Sequence, residues 1–549
     1  MVALPQHSEP SAMENWGLIL GNYHLLMVDV DYADVNTLFT VANTVAHEVV
    51  HQWFGDLVTM KWWTESFLSE GFAQYFSANA VNYTIPEQQD YVINFTRFKT
   101  MIDAMLDDCD EESSVSVISE EGEILSPTVY LKGSTLLNTL WNVLSPKTLQ
   151  KGLRKYISRN AYGNADVSQL WAALTEACEE DGVKGWDGKP LDVATFMKSW
   201  ITESLLRLYY DKMTFPSMTR NIQVVKDEAT QGAILKDAWF FVSKGDYTWK
   251  NFLDIVNVIE WRESPIIWYI GLEFIQDMYR SFRFHKDLPM VVDYLVSISE
   301  RTYLAVGRSA KPSPNWGERS VGGLINEWMC RFNNSDCLIT ANKQFIKFIR
   351  ECGKSYSGTG KCVGVIPDFR RTMYCYGLKQ NSKRHTTVYS LYKYFEKNLI
   401  YFDRDGERLL YALSCLNDTQ LLEKYVRRSL SGDLPSTLIQ YIGENDVTGE
   451  FLYDFLRNNT KQVLNSNINF EDYVESMTTD WTTGNQLLKL TSFTASKAYK
   501  RLNKKHQAIW HTAIQTVIEK QSSHTLKTDG IVEWLKNHFE PSSTIHPMA

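Results

Sequence analysis

The stretch 36–54, NTLFTVANTVAHEVVHQWF, constrains this chain more than any other. Leu38, Val41, Ala42, Val45, Val49 and Trp53 recur at helical spacing, and Gly55 follows as a stop signal. On such a helix His47 and His51 stand one turn apart on one face, so their imidazoles can chelate one ion. Glu48 lies beside them and completes an H-E-x-x-H pattern of two metal ligands and a general base. A catalytic zinc takes three protein ligands and keeps a fourth position open. The fold must therefore return a third donor to this helix. Glu70, in WWTESFLSEGFAQYF, is the candidate, with eighteen residues between it and His51. A second helix over 64–80, N-capped by Thr64, would carry it back past the first. Glu65, one turn earlier on that helix, reads equally as a carboxylate that orients a ligand histidine from behind or as a solvated surface group.

The remaining pattern is also helical. Gly (29) and Pro (15) are sparse among 549 residues, which favours helices over a turn-rich β architecture. Further helices fit 87–107, 130–144, 147–159, 167–180 and 192–203, while 2–4 and 16–20 are the clearest strands. From about 205 onward, helical segments at 250–261, 266–282, 288–306, 339–352, 385–396, 406–415, 418–429 and 505–519 are joined by short polar loops. They read as stacked helical hairpins of solenoid character, although no fixed sequence period appears. The segment 308–318, RSAKPSPNWGE, is the most linker-like.

A formal net charge of −9 with no run of Lys or Arg argues against nucleic acid as a partner. No apolar stretch approaches the ~20 residues that span a bilayer. The first residues lack the basic start and apolar core of a signal peptide. Six of the eight cysteines crowd into 330–415, which reads as a local disulfide framework in an oxidising compartment, with buried thiols as the alternative. Sequons at Asn82, Asn94, Asn333, Asn417 and Asn458 lean the same way.

These motifs together resemble the gluzincin aminopeptidases of the aminopeptidase N type, the membrane alanyl aminopeptidase family. HEVVHQWFGDLVTMKWW, followed by Glu70, carries most of the likeness. SAMENWG (11–17) resembles the family's Gly-Ala-Met-Glu-Asn exopeptidase motif, and VYLKG (129–133) resembles the segment bearing its catalytic tyrosine. The resemblance implies one Zn2+ per chain on His47, His51 and Glu70, with Glu48 as general base and Tyr130 as a hydroxyl donor to the oxyanion. It also implies that Glu14 pairs with the substrate's free α-ammonium. Ala12 and Met13 would run along the substrate, with Met13 lining the pocket for its first side chain. The expected architecture is mainly α. A thermolysin-like zinc-peptidase lobe (1–204) precedes a large all-α domain of HEAT/armadillo-like helical hairpins (205–549). Expected disulfides are Cys330–Cys337 and Cys375–Cys415, with Cys352–Cys362 as a third. Expected partners are peptides with a free N-terminus and a second copy in a homodimer. The likeness further implies a plasma-membrane or extracellular ectodomain, with membrane association through an N-terminal anchor that these residues do not contain. With no targeting segment in the chain, a cytoplasmic location stays open.

Several family features have no counterpart here. They are the N-terminal β-saddle, the start of the catalytic lobe with most of its sheet, and the β-sandwich near residue 204. Ser11 stands for the motif glycine, the loop PQHSEPS is one residue longer, and Ser69 stands for an asparagine. The lobe is therefore expected to keep an incomplete sheet and to expose apolar faces. Two functional readings follow. One is a zinc aminopeptidase that releases neutral N-terminal residues. The other is a catalytically impaired isoform or fragment acting as a peptide- or protein-binding ectodomain. A zinc endopeptidase fits less well, because an amine anchor such as Glu14 has no use in internal cleavage.

Overall fold

The computed structural model describes residues 1–5, 12–30, 33–108, 116–118, 125–202, 221–258, 264–308, 312–353, 365–398, 405–445 and 448–539. Ser11 with the rest of its loop, the expected boundary at 204/205, and Cys362 lie outside the described residues.

The fold is mainly α. Val2–Leu4 (β1), Ala12–Met13 (β2) and Leu20–Asn22 (β3) form a small sheet in the order β1-β3-β2, with β1 parallel and β2 antiparallel to β3. The strand expected at 16–20 is displaced towards 20–22, because the chain first turns through Gly17 at φ 73°. After a four-residue helix, Tyr23–Leu26 (α1), comes Val35–His51 (α2). Asp34 caps α2 by accepting from Thr37 N at 2.8 Å. Val35, Leu38, Val41, Ala46 and Val50 are buried on its inner face. The helix stops at His51, four residues short of Gly55. Val58–Met60 (β4) then pairs in parallel with Gly163–Ala165 (β5).

The single helix expected at 64–80 is two elements. A 3-10 turn over Trp63–Leu68 meets Glu70–Thr84 (α3) at Ser69. Thr64 lies inside the turn and is not an N-cap. Glu65 breaks the helical path at φ −112°, ψ 30°, where its carboxylate accepts from Val167 N at 3.1 Å. Glu65 and Glu70 thus sit on different elements. The lobe continues with Thr96–Asp107 (α4), Pro127–Leu144 (α5), Pro146–Asn160 (α6), Val167–Asp181 (α7) and Val193–Thr202 (α8). α3 and α5 cross at two glycines. A Cβ on Gly71 would lie 3.1 Å from Gly133 Cα, and one on Gly133 would lie 3.2 Å from Gly71 Cα. Trp16, Trp62, Trp63 and Tyr162 remain more than half exposed, and all four lie outside the α-helices.

The second half is all helix among its described residues, from Glu228–Ser243 to Lys504–His538, around one continuous core. Helices Pro265–Phe282, His385–Asn398 and Thr419–Leu430 fall where the apolar period puts them. The segment expected at 505–519 is only the start of a 35-residue helix. That helix runs back to the beginning of the half, where Trp534 Nε1 donates to Asp254 Oδ1 at 2.8 Å and Lys527 pairs with Asp277 at 2.5 Å. The stack is therefore closed by its last element, unlike an open solenoid. The linker-like stretch 308–318 is partly helical, because Trp316–Arg331 starts inside it on an Asn315 cap. Disulfides join Cys330 to Cys337 and Cys375 to Cys415. Cys352 is also disulfide-bonded, and Cys178 is a buried free thiol.

The two halves meet at the N-terminal end of α2. Val35 N donates to Asp368 Oδ1 at 2.8 Å, and Asp34 pairs with Arg408, which also binds Asp405 at 3.0 Å. Arg319 holds both Asp368 (2.8 Å) and the Ala33 carbonyl (2.9 Å). Beside them, Gln88 exchanges two hydrogen bonds with the chain at Pro314 and Trp316.

Candidate metal centre

His47 and His51 share one face of α2 because they stand four residues apart. α3 begins at Glu70, so its first residue projects onto that face. Glu70 Oε2 lies 3.2 Å from His47 Nε2 and 3.3 Å from His51 Nε2, and the two Nε2 atoms are 3.0 Å apart. Three donor atoms thus form a nearly equilateral triangle. A tetrahedral zinc with bonds of ~2.0–2.1 Å requires ligand–ligand edges of about 3.3–3.4 Å. The triangle fits that face, and two imidazoles with a carboxylate are a fitting donor set. Among the described residues, these three form the metal-competent cluster of His, Cys, Asp and Glu.

The protonation pattern follows from burial and from Glu70. Burial opposes charge on both imidazoles. At His47 it prevails and holds the pKa down. At His51 the hydrogen bond and charge of Glu70 outweigh it, raising the pKa to about 9. Burial also works against the Glu70 carboxylate, but its bonds to the two histidines bring it down to about 2. Glu48 is buried within the same space. Burial pushes its carboxyl up to about 7 against the nearby His51 charge, and the carboxylates of Glu14 and Glu70 add to the rise.

His51 is oriented from behind by groups other than Glu65. Its Nδ1 lies 3.0 Å from the Phe54 carbonyl and 2.9 Å from Ser69 Oγ, and Ser69 Oγ itself donates to that carbonyl at 3.1 Å. A carbonyl only accepts, so Nδ1 carries the hydrogen and Nε2 of the neutral ring is left for a metal. No bond from Glu65 to either histidine occurs among the described residues. That expectation is corrected: Glu65 anchors the start of α7 instead. Gly55 keeps this corner open at φ 132°, where a Cβ would lie 2.7 Å from Ser69 Oγ.

Tyr130, in the first turn of α5, stacks on His47 with ring centroids 6.2 Å apart. Burial and the Glu70 carboxylate raise its pKa, so the hydroxyl keeps its proton. Ala12 and Met13 form β2 and pair with Gly21 and Leu20. Glu14 follows directly, and its charge is felt at His47, Glu48, His51 and Tyr130. Besides Ser69, two contributors escaped the sequence reading. One is Phe54, which acts through a carbonyl that leaves no residue-type signal. The other is Gln52, whose amide binds the Glu14 loop across 35 and 38 residues of sequence. A cavity of about 900 Å³ lies elsewhere, lined by Arg97, Asn138, Asn142 and Glu228, and none of the site residues border it.

Residues 1–200 match the peptidase family M1 domain, and residues 204–513 match the ERAP1-like C-terminal domain. The chain is similar to putative aminopeptidase-2 of Caenorhabditis elegans, at 32% identity over 98% of this chain and 33% of that protein. It is also similar to aminopeptidase N of Haemonchus contortus, at 22% identity over 98% of this chain and 65% of that protein. Endoplasmic reticulum aminopeptidase 1 of Homo sapiens is 30% identical over 42% of this chain and 26% of its own length. In each case the chain spans less than two-thirds of the relative.

Proposed function

The chain belongs to peptidase family M1, and on that premise we propose that it is a zinc-dependent aminopeptidase hydrolysing the first peptide bond of peptides with a free, neutral N-terminal residue. The observation that carries this reading is the convergence of the His47–His51–Glu70 triangle with Glu48, Tyr130 and the field of Glu14. A Zn2+ held by the triangle supplies Lewis acidity, lowering the pKa of a water and polarising a carbonyl.

The protein's own groups do the rest. Glu48 takes the proton of the attacking water and returns it to the leaving amine, and a carboxyl poised near neutrality suits both transfers. The Tyr130 hydroxyl, held protonated, donates to the charge that develops on the scissile carbonyl oxygen. Glu14 pairs with the α-ammonium, which an internal peptide bond lacks. Met13, with an adaptable thioether, lines the pocket for a neutral first side chain. The disulfides support residence in an oxidising compartment, in the secretory pathway or outside the cell. No helix among the described residues is long and apolar enough to cross a membrane.

The test is hydrolysis of an alanyl or leucyl reporter amide by the zinc-loaded chain, with a chelator as control. Glu48→Gln is expected to retain zinc by metal analysis while turnover falls by about 10²–10⁴-fold. Folded, zinc-loaded protein without chelator-sensitive turnover would overturn the catalytic reading in favour of a peptide-binding ectodomain.

A further inference from the structure

Gln52 joins two parts of the site that the motifs treat separately. It follows His51 directly at the end of α2, and its side chain reaches the loop between β2 and β3. Nε2 donates to the Glu14 carbonyl at 2.7 Å, and Gly17 N donates to Oε1 at 2.9 Å. A backbone carbonyl only accepts and a backbone N–H only donates, so the amide has one orientation. Inside the loop, Leu18 N donates to the Asn15 carbonyl at 2.7 Å, and Gly17 supplies the positive φ of the turn. Glu14 is thereby held from both sides. Before it, Met13 pairs with Leu20; after it, the loop is bonded to the helix that bears both histidines.

An amine anchor can count from a chain end only if its distance to the reacting centre is fixed, and catalytic constellations tolerate errors of about 0.5 Å. A two-residue strand is a weak tether for such a loop. An amide satisfies a carbonyl and an N–H at once. A carboxylate at this position would face the Glu14 carbonyl with an oxygen, and a thioether would leave both backbone groups without their partner. We propose that Gln52 is a positioning residue that sets the Glu14 carboxylate against the metal ligands, and so enforces selection for a free N-terminal amine. This rests on the reading of Glu14 as the amine anchor.

The experiment uses the full zinc-loaded chain and four variants: Gln52→Met, Gln52→Glu, Glu14→Gln and the Glu14→Gln/Gln52→Met double variant. Three quantities are read. They are zinc content, amide hydrogen exchange across residues 14–17, and the ratio of kcat/KM for a leucyl reporter amide to that for the same compound without its α-amine. Gln52→Met is expected to keep zinc, to speed exchange at Gly17, and to lower the ratio by about tenfold, and Gln52→Glu, which preserves side-chain size, to do the same. In the Glu14→Gln background, Gln52→Met is expected to change the ratio by less than about twofold, because its effect passes through Glu14. Equal losses in both backgrounds, or unchanged exchange at Gly17, would overturn the proposal while leaving the amine-anchor reading intact. A wild-type chain with turnover but no preference for the free amine would instead sink the amine-anchor reading, and the proposal with it.

Discussion

At His51 a single ring serves two sets of neighbours. Nδ1 faces the Phe54 carbonyl and Ser69 Oγ, while Nε2 faces His47 and Glu70. Without metal, the ring is held protonated up to about 9 by Glu70, against the effect of burial. Zinc must displace that proton. Lower pH favours the protonated ring, so zinc affinity is expected to rise with pH below about 9, by about tenfold per unit for one displaced proton. Competition with a chromophoric chelator at pH 6 and pH 8 measures this, and equal affinities would contradict the role given to His51. The i, i+4 pair and the neighbouring Glu48 are legible in the sequence because helical geometry alone brings them together. The groups behind His51 are not, since one is a backbone carbonyl and the other a serine among many.

Between elements, the α3–α5 crossing fixes how Tyr130 meets Glu70. Gly71 follows Glu70 and Gly133 lies one turn beyond Tyr130, and a Cβ on either would press on the other's backbone closely enough that the helices must give by a few tenths of an ångström. Two residues after Tyr130 on α5, the buried Lys132 ammonium pairs with Asp108 at 3.1 Å. Gly133→Ala is expected to force the helices apart and to destabilise the protein by about 1–3 kcal/mol. Turnover is expected to fall more than zinc content, because Tyr130 lies on the helix that carries the added methyl and two of the three donors lie on α2. Thermal melts with metal analysis and kinetics check this, and wild-type turnover in a fully folded variant would refute it. The apolar period of 36–54 places α2 to within three residues at either end. It fails at 64–80, where Glu65 leaves the helix to hold α7, a contact 102 residues away in sequence. The strands β2, β4 and β5 span two or three residues each, too few for alternation to register.

Across the molecule, the N-terminal lobe is seated on the helical half through a buried ionic cluster. Asp405 and Arg370 within it are 1% exposed. Arg408 ties that cluster to Asp34, the cap of α2, over 374 residues of sequence. No local pattern could announce such a pairing. Arg408→Met would leave the buried Asp405 and the half-buried Asp34 without this partner, a loss on the order of 3 kcal/mol. The variant is expected to melt at lower temperature and to bind zinc more weakly, although residue 408 touches no metal ligand. Wild-type zinc affinity in that variant would show that the helical half does not support the site.

A 17-residue α2 is a rod about 25 Å long. It is clamped at Asp34 and Val35, and it carries its donor atoms near the opposite end. A tilt of about 5° at the clamp would swing the far tip by about 2 Å, the length of a metal–nitrogen bond. A slip between the two halves that tilted this rod would therefore be magnified, one helix-length away, into a shift of the His47 and His51 donors as large as a metal–nitrogen bond.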